Sequence, residues 1–324
     1  ANGYYGVTTI SAGTLAINST GTLGNSGSGG VTVARGAVLD LQNRHTSGYI
    51  TLNAGTFKTS TGYSTLQASG SWVALGTGGG IFDVALGATL VINPIVSGST
   101  SLTKQGTGTL THTGTNTNAG SINITAGARK LGKQQGLGTG STGVVTVSAG
   151  AARDLNGYTL TSANGKGLSL TGTGVSSGGA LLNSCASAAT YTGLLTLAGD
   201  TLISGGTGLI ALSNTGTVVG GGYNLTLGGA LGGSLASVLD TSLATLTKQG
   251  AGTWTLTGAN SYTGDATISA GTLQIGNGTI TTTTVAPSNV ANSGTLTFNA
   301  AAAATLTSAN TISGTGVVKI SGNS

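Results

Sequence analysis

Along Leu246–Gly276 (LTKQGAGTWTLTGANSYTGDATISAGTLQIG) apolar and small polar residues alternate, break at Gly, alternate again and break again. Within Thr253–Thr257 the side chains of Trp254 and Leu256 fall on one face and threonines on the other, and within Thr272–Ile275 Leu273 and Ile275 share a face. Short runs of period two bounded by Gly and Asn predict half-buried strands joined by tight turns. The same pattern predicts strands at Val7–Ile10 and Thr14–Ile17 around a Ser11-Ala12-Gly13 turn, and at Val31–Val33 and Val38–Leu41 around Ala34-Arg35-Gly36. Further strands are predicted at Ile50–Leu52, Trp72–Leu75, Ile81–Leu86 and Thr89–Ile92. Residues 161–245 read as a looser series, including Leu168–Leu170, Leu194–Leu197, Val218–Val219 and Leu225–Leu227, with Gly-rich turns between them.

The pattern repeats. Leu102–Gly132 aligns with Leu246–Gly276 without gaps at an offset of 144, and LTKQG is identical in both. An offset of 114 superposes Gly6–Leu41 on Gly120–Leu155. Internal repetition points to a stacked, quasi-one-dimensional architecture in which each repeat buries its apolar face against its neighbours. Residues 1–324 are therefore expected to be all-β, one continuous parallel β-solenoid with coils of roughly 20–25 residues. Its repeat copies lie near 1–41, 102–155 and 246–276.

Composition supports this fold. The chain has 61 Gly, Thr is almost as frequent, and Glu and Met are absent. Gly and Thr are poor helix formers and Thr favours strands, so essentially no α-helix is expected. Charged residues are only 5% of the chain and the mean hydropathy is +0.26, which separates it from Gly-rich disordered sequences. The net charge of +5 is spread along the length without a basic run interleaved with aromatics, so a nucleic-acid partner is not expected. A single cysteine, Cys185, excludes an internal disulfide framework. No apolar run reaches the roughly 18–20 residues of a membrane-spanning helix, and ANGYYGVTT has neither the basic nor the apolar region of a signal peptide.

At LTKQGAGTWTLTGANSYTGDATISAGTLQIG the sequence resembles the passenger-associated repeat of bacterial autotransporters, whose common form runs LTK-G-GTL-L-G-N-YTG-T-I-AGTL. The resemblance is close over 246–276, recognisable over 102–132 and partial over 1–17. It implies a single right-handed parallel β-helix secreted through an outer membrane, extracellular or on the bacterial cell surface. The repeat marks scaffold and secretion, not an activity. No series of amphipathic strands with aromatic girdles, as in a translocating barrel, is legible at the C-terminus, so a processed or excerpted passenger, or a relative that uses the repeat for another purpose, is expected.

Candidate chemistry is sparse. Six Asp (40, 83, 154, 200, 240 and 265), no Glu and His45 and His112 offer no carboxylate pair, no Ser–His–Asp arrangement and no metal-ligand spacing. The chain is read as non-enzymatic, with no cofactor and no metal. Asp40 and Asp154 occupy equivalent repeat positions beside inward leucines and are expected to point outward as solvated or turn-capping groups. Aromatics in the irregular stretch 42–100 (Tyr49, Phe57, Tyr63, Trp72, Phe82) either plug the core of a widened coil or line an outer groove.

Three residues break the pattern. His112 aligns with Leu256, Arg129 with Leu273 and Leu15, and Arg153 with Leu39, so cationic side chains take positions that are aliphatic in the sister copies. Arg129 and Arg153 lie one coil apart and can stack, and an anion-binding groove at His112, Arg129 and Arg153 is the functional expectation there. The plainer and favoured reading is a bulge that turns these side chains outward. Both termini fall within one motif in near-complementary phase, and neither shows a cap. The leading expectation is thus a fibre subunit stacking head to tail with copies of itself by strand addition at open edges. The edges expected to meet are Tyr4, Tyr5, Val7 and Ile10 at one end and Val317, Val318 and Ile320 at the other. The alternative is a monomeric passenger acting as an adhesin or stalk toward a host or neighbouring-cell surface. An enzyme on a β-helix scaffold is a third reading.

Overall fold

The computed structural model describes residues 6–17, 30–67, 71–139, 142–240, 242–279, 282–284, 289–301, 305–307 and 311–322. The chain is all-β, and among the described residues the strand pairings are parallel. Among the described residues the helical segments are two short 3-10 turns, Gln134–Leu137 and Val175–Ser177. The chain divides into two compact units, one of residues 1–154 with 162–166, the other of 155–161 with 167–324. Each unit is a parallel β-solenoid.

The first unit carries three ladders. One runs Thr8–Ile10, Gly30–Val33, Tyr49–Leu52, Trp72–Leu75, Ile95–Ser97. A second runs from Thr14–Ala16 through Val38–Asp40, Thr56–Thr59, Gly80–Val84, Leu102–Gln105 and Ile122–Ile124 to Val144–Val147. The third runs His45–Thr46, Tyr63–Leu66, Thr89–Ile92, Thr109–His112, Gly127–Leu131, Ala151–Asp154. Because side chains alternate along each strand and parallel register is kept from coil to coil, inward residues stack into columns. Leu39, Phe57, Phe82, Lys104, Ile124 and Val147 form one such column, all fully buried. Each buried aliphatic or Phe side chain in these columns contributes about 1.5–3 kcal/mol relative to exposure.

The turns follow the predicted chemistry. Ala37, Ala88 and Ala151 N–H groups each bond the carbonyl three residues back, with Gly36, Gly87 and Gly150 at φ of +76°, +73° and +76°. A Cβ at any of these glycines would meet open space, so the residue is there for its backbone, which L side chains rarely adopt.

In the second unit the longest ladder runs from Thr159–Leu160 through Ala189–Tyr191, Ile210–Leu212, Gly232–Leu235, Thr253–Leu256, Thr272–Ile275 and Thr295–Ala300 to Val317–Gly322. Another begins with Gly167–Gly172 and the ten-residue strand Leu195–Ser204, and continues through Leu225–Gly228, Leu246–Lys248, Ala266–Ile268 and Val290–Asn292 to Ile312–Ser313. The register advances by 18 residues from Val38 to Thr56 and by 31 from Thr159 to Thr190, a broader spread on both sides than the expected coil.

One reading of the sequence is corrected. Asp40 and Asp154 are buried rather than solvated. Asp40 does cap a turn, accepting the Gln42 and Ser60 N–H groups, while Asp154 pairs with Lys130 on the neighbouring coil at 3.8 Å. The aromatics of 42–100 divide: Phe57 and Phe82 are core, with ring centroids 6.1 Å apart, whereas Tyr63 and Trp72 face outward.

Candidate functional site

The motif shared by 102–132 and 246–276 builds the same constellation twice. Lys104 in Leu102–Gln105 and Lys248 at the end of Leu246–Lys248 are turned inward by the alternation of their strands, and both are fully buried. Lys104 Nζ donates to the carbonyls of Gln105, Gly106 and Ala126 at 2.8, 2.7 and 3.2 Å. Lys248 Nζ donates to those of Gln249, Gly250 and Ala270 at 2.8, 2.7 and 3.0 Å. An ammonium has three donors, and each is used. Burial lowers both amines to about 8, and the Asp83 carboxylate near Lys104 opposes that shift.

The rest of the motif supports this knot. Gly127 and Gly271, at φ of +64° and +66°, lie against the turn that supplies the carbonyls. A Cβ there would overlap the carbonyl oxygens of Gly106 and Gly108 in one copy and of Gly250 and Gly252 in the other. Thr125 and Ser269 hydroxyls donate to the Lys104 and Lys248 carbonyls, each at 3.1 Å. The Asn of the motif bonds backward: Asn116 Oδ1 accepts the Val96 N–H and Asn260 Oδ1 the Leu239 N–H, both at 2.9 Å. Every one of these bonds except those within the turn joins one coil to the next. Sequence reasoning identified the motif but missed that its Lys points inward; the signal was its place in an alternating run, two residues after an inward Leu.

His112, Arg129 and Arg153 do come together, and Arg129 is the register partner of Arg153. They are fully buried in the interior of the first unit, so the expected groove is not one. The 3-10 turn Gln134–Leu137 carries the Gly136 carbonyl to the cluster, where it accepts from Arg129 Nη2 at 2.8 Å and from Asn116 Nδ2 at 3.0 Å. Arg153 Nη1 donates to the Arg129 carbonyl at 3.4 Å. His112 packs edge-on against Phe82 at 5.5 Å, and neither of its ring nitrogens has a hydrogen-bond partner among the described residues. Desolvation first, then the charges of Arg129 and Arg153, hold His112 well below the usual imidazole range, so it is neutral at pH 7. Lys166, also buried, donates to the Ala119 carbonyl at 3.1 Å, and burial and Arg129 lower its pKa.

Of the residues expected at stacking edges, Tyr4 and Tyr5 lie outside the described residues. Val7 is exposed and Ile10 is buried. Val317, Val318 and Ile320 are exposed on the Val317–Gly322 strand, which pairs with Thr295–Ala300.

All six aspartates are engaged locally. Asp40 and Asp154 are described above, and Asp83 pairs with Lys58 at 3.6 Å. Asp200, Asp240 and Asp265 accept backbone N–H groups of Asn224, Ser242 and Asn289. Among the described residues no three His, Cys, Asp or Glu side chains gather as a metal site, and no helix is long and apolar enough to cross a membrane.

A repeat whose signature residues knot successive coils is a scaffold repeat. Three segments, residues 1–17, 102–128 and 246–275, match the family model of the passenger-associated-transport-repeat. Repeat and parallel β-solenoid together fit an autotransporter passenger β-helix. Comparison with curated proteins and with solved structures returned no significant match.

Proposed function

We propose that this chain is a non-enzymatic structural segment of a secreted, surface-exposed passenger, a stalk that holds other surfaces away from the cell. The observation that carries it is the doubled lysine knot. The residues that define the repeat are used on coil-to-coil bonds, and the carboxylates are used on turns and ion pairs. The test is export. Fused ahead of an outer-membrane translocating barrel, the chain is expected to reach the cell surface and be shaved by added protease; retention inside intact cells would overturn the reading.

A second reading is head-to-tail stacking of copies into a fibre, with Val317–Gly322 as the edge that would meet another copy. Its residues Val317, Val318 and Ile320 lie open to solvent, with Ile320 76% exposed. A strand end of this kind is a template for parallel addition of another coil. Electron microscopy of purified protein distinguishes the two: filaments support stacking, and monodisperse particles exclude it.

A further inference from the structure

The chain has two tryptophans with opposite fates: Trp254 is fully buried and Trp72 is 52% exposed. Trp72 is the middle of an outward column on the first unit, in register with Tyr49 on one side and Ile95 on the other. The Tyr49 and Trp72 rings touch, with centroids 4.5 Å apart and planes tilted by 47°. Ile95 is exposed as well. Successive strands are about 4.8 Å apart, so the column is a narrow apolar strip running across three coils.

The strip borders a pocket of about 670 Å³. Ile95 and Ser71, the residue before Trp72, line its near side, and Gln67, Asn93, Thr113, Thr115 and Lys133 supply its polar wall. Two side-chain bonds join members of that wall. The Thr113 hydroxyl donates to Asn93 Oδ1 at 2.6 Å, which orients the amide so that its NH2 is a donor. Lys133 Nζ donates to Thr115 Oγ1 at 2.7 Å and retains donors for a ligand.

An aromatic face beside ordered amide, hydroxyl and ammonium groups suits one ligand class. A pyranose ring presents a C–H face that packs on an aromatic ring and an equatorial rim of hydroxyls that both donate and accept. Trp and Tyr supply large contact area at low entropic cost, and a few placed polar groups set orientation. Nucleic acid would require a basic stripe, and the pocket offers one Lys. We propose that the Tyr49–Trp72–Ile95 strip and the adjoining pocket bind a chain of pyranose sugars, with Trp72 as the stacking platform and Asn93 and Lys133 as the groups that read the hydroxyl rim.

The experiment titrates the purified chain with a neutral hexasaccharide, cellohexaose, and an acidic one, an alginate hexamer, and follows tryptophan emission and heat. Trp254 is buried, so a change in emission reports Trp72. Saturable binding of either probe is expected, and Trp72→Ala should weaken it roughly tenfold or more, as for a central aromatic contact. The melting temperature should be unchanged, because Trp72 lies outside the core. A preference for the alginate hexamer that disappears in Lys133→Met assigns Lys133 to a sugar carboxylate; equal binding of both probes assigns the site to neutral sugar. Absence of saturable binding by both probes, or undiminished binding by Trp72→Ala, overturns the proposal.

Discussion

Lys248 is the residue in which sequence motif and structure meet most directly. Its ammonium donates to three carbonyls drawn from two coils, in an interior where an unmet acceptor loses the full value of its solvation. Lys248→Met keeps the stem and removes the donors, and is expected to lower unfolding stability by about 2 kcal/mol. The midpoint of urea unfolding measures this, and a value matching wild type would show the knot to be ornamental. His112 makes an opposite prediction about pH. Its folded-state pKa is depressed, so the unfolded chain binds more protons below its ordinary value of 6.5. Stability contributed by the neutral ring is therefore present above that value and is lost as pH falls from it toward the folded-state pKa. His112→Leu, which installs the sister residue Leu256, should flatten the urea midpoint between pH 7 and 5. The two lysines at about 8 act in the alkaline range with the same sign, raising stability as pH climbs from about 8 toward 10.5. Buried Tyr262, whose pKa is raised, works against them above its ordinary value of 10.

At the scale of elements, strands were legible and their depth in the stack was not. Trp72–Leu75, Thr89–Ile92 and Thr272–Ile275 are found at their predicted bounds, because alternation and bounding turns are local properties. Alternation assigns each residue to a face, and Arg129 and Arg153 lie on the inner one rather than being turned outward by a bulge. It could not supply the Gly136 carbonyl that meets Arg129, since that arrives from an irregular turn outside the strand. The glycines likewise look alike in sequence and differ in place. Gly13 (φ +73°) has nothing within reach of an added Cβ, whereas Gly127 (φ +64°) faces the Gly106 and Gly108 carbonyls. Gly13→Ala is expected to cost about 1 kcal/mol, from backbone strain alone. Gly127→Ala adds a clash with backbone that carries the lysine knot, and should cost at least twice as much by the same unfolding measurement.

For the whole molecule, stability is a sum over coils and their interfaces, so each coil presents its neighbours with a surface of core character. If copies stack through Val317–Gly322, Ile320→Lys places a charge on that face and should abolish filaments while leaving the folded coils intact, as circular dichroism and electron microscopy would show. Filaments that persist in this variant would place the contact elsewhere.

The sequence by itself determined the all-β repeat, the parallel stack implied by a gapless repeat, most strand positions and the turn glycines. All of these follow from periodicity and backbone preference, which act over a few residues. Only the tertiary structure decided that Lys104 and Lys248 are internal struts, that His112, Arg129 and Arg153 are sealed rather than open, and that Trp72 faces out while Phe82 faces in. Each of those outcomes depends on which carbonyl or side chain the neighbouring coil delivers, and that neighbour stands some 20 residues away in the chain.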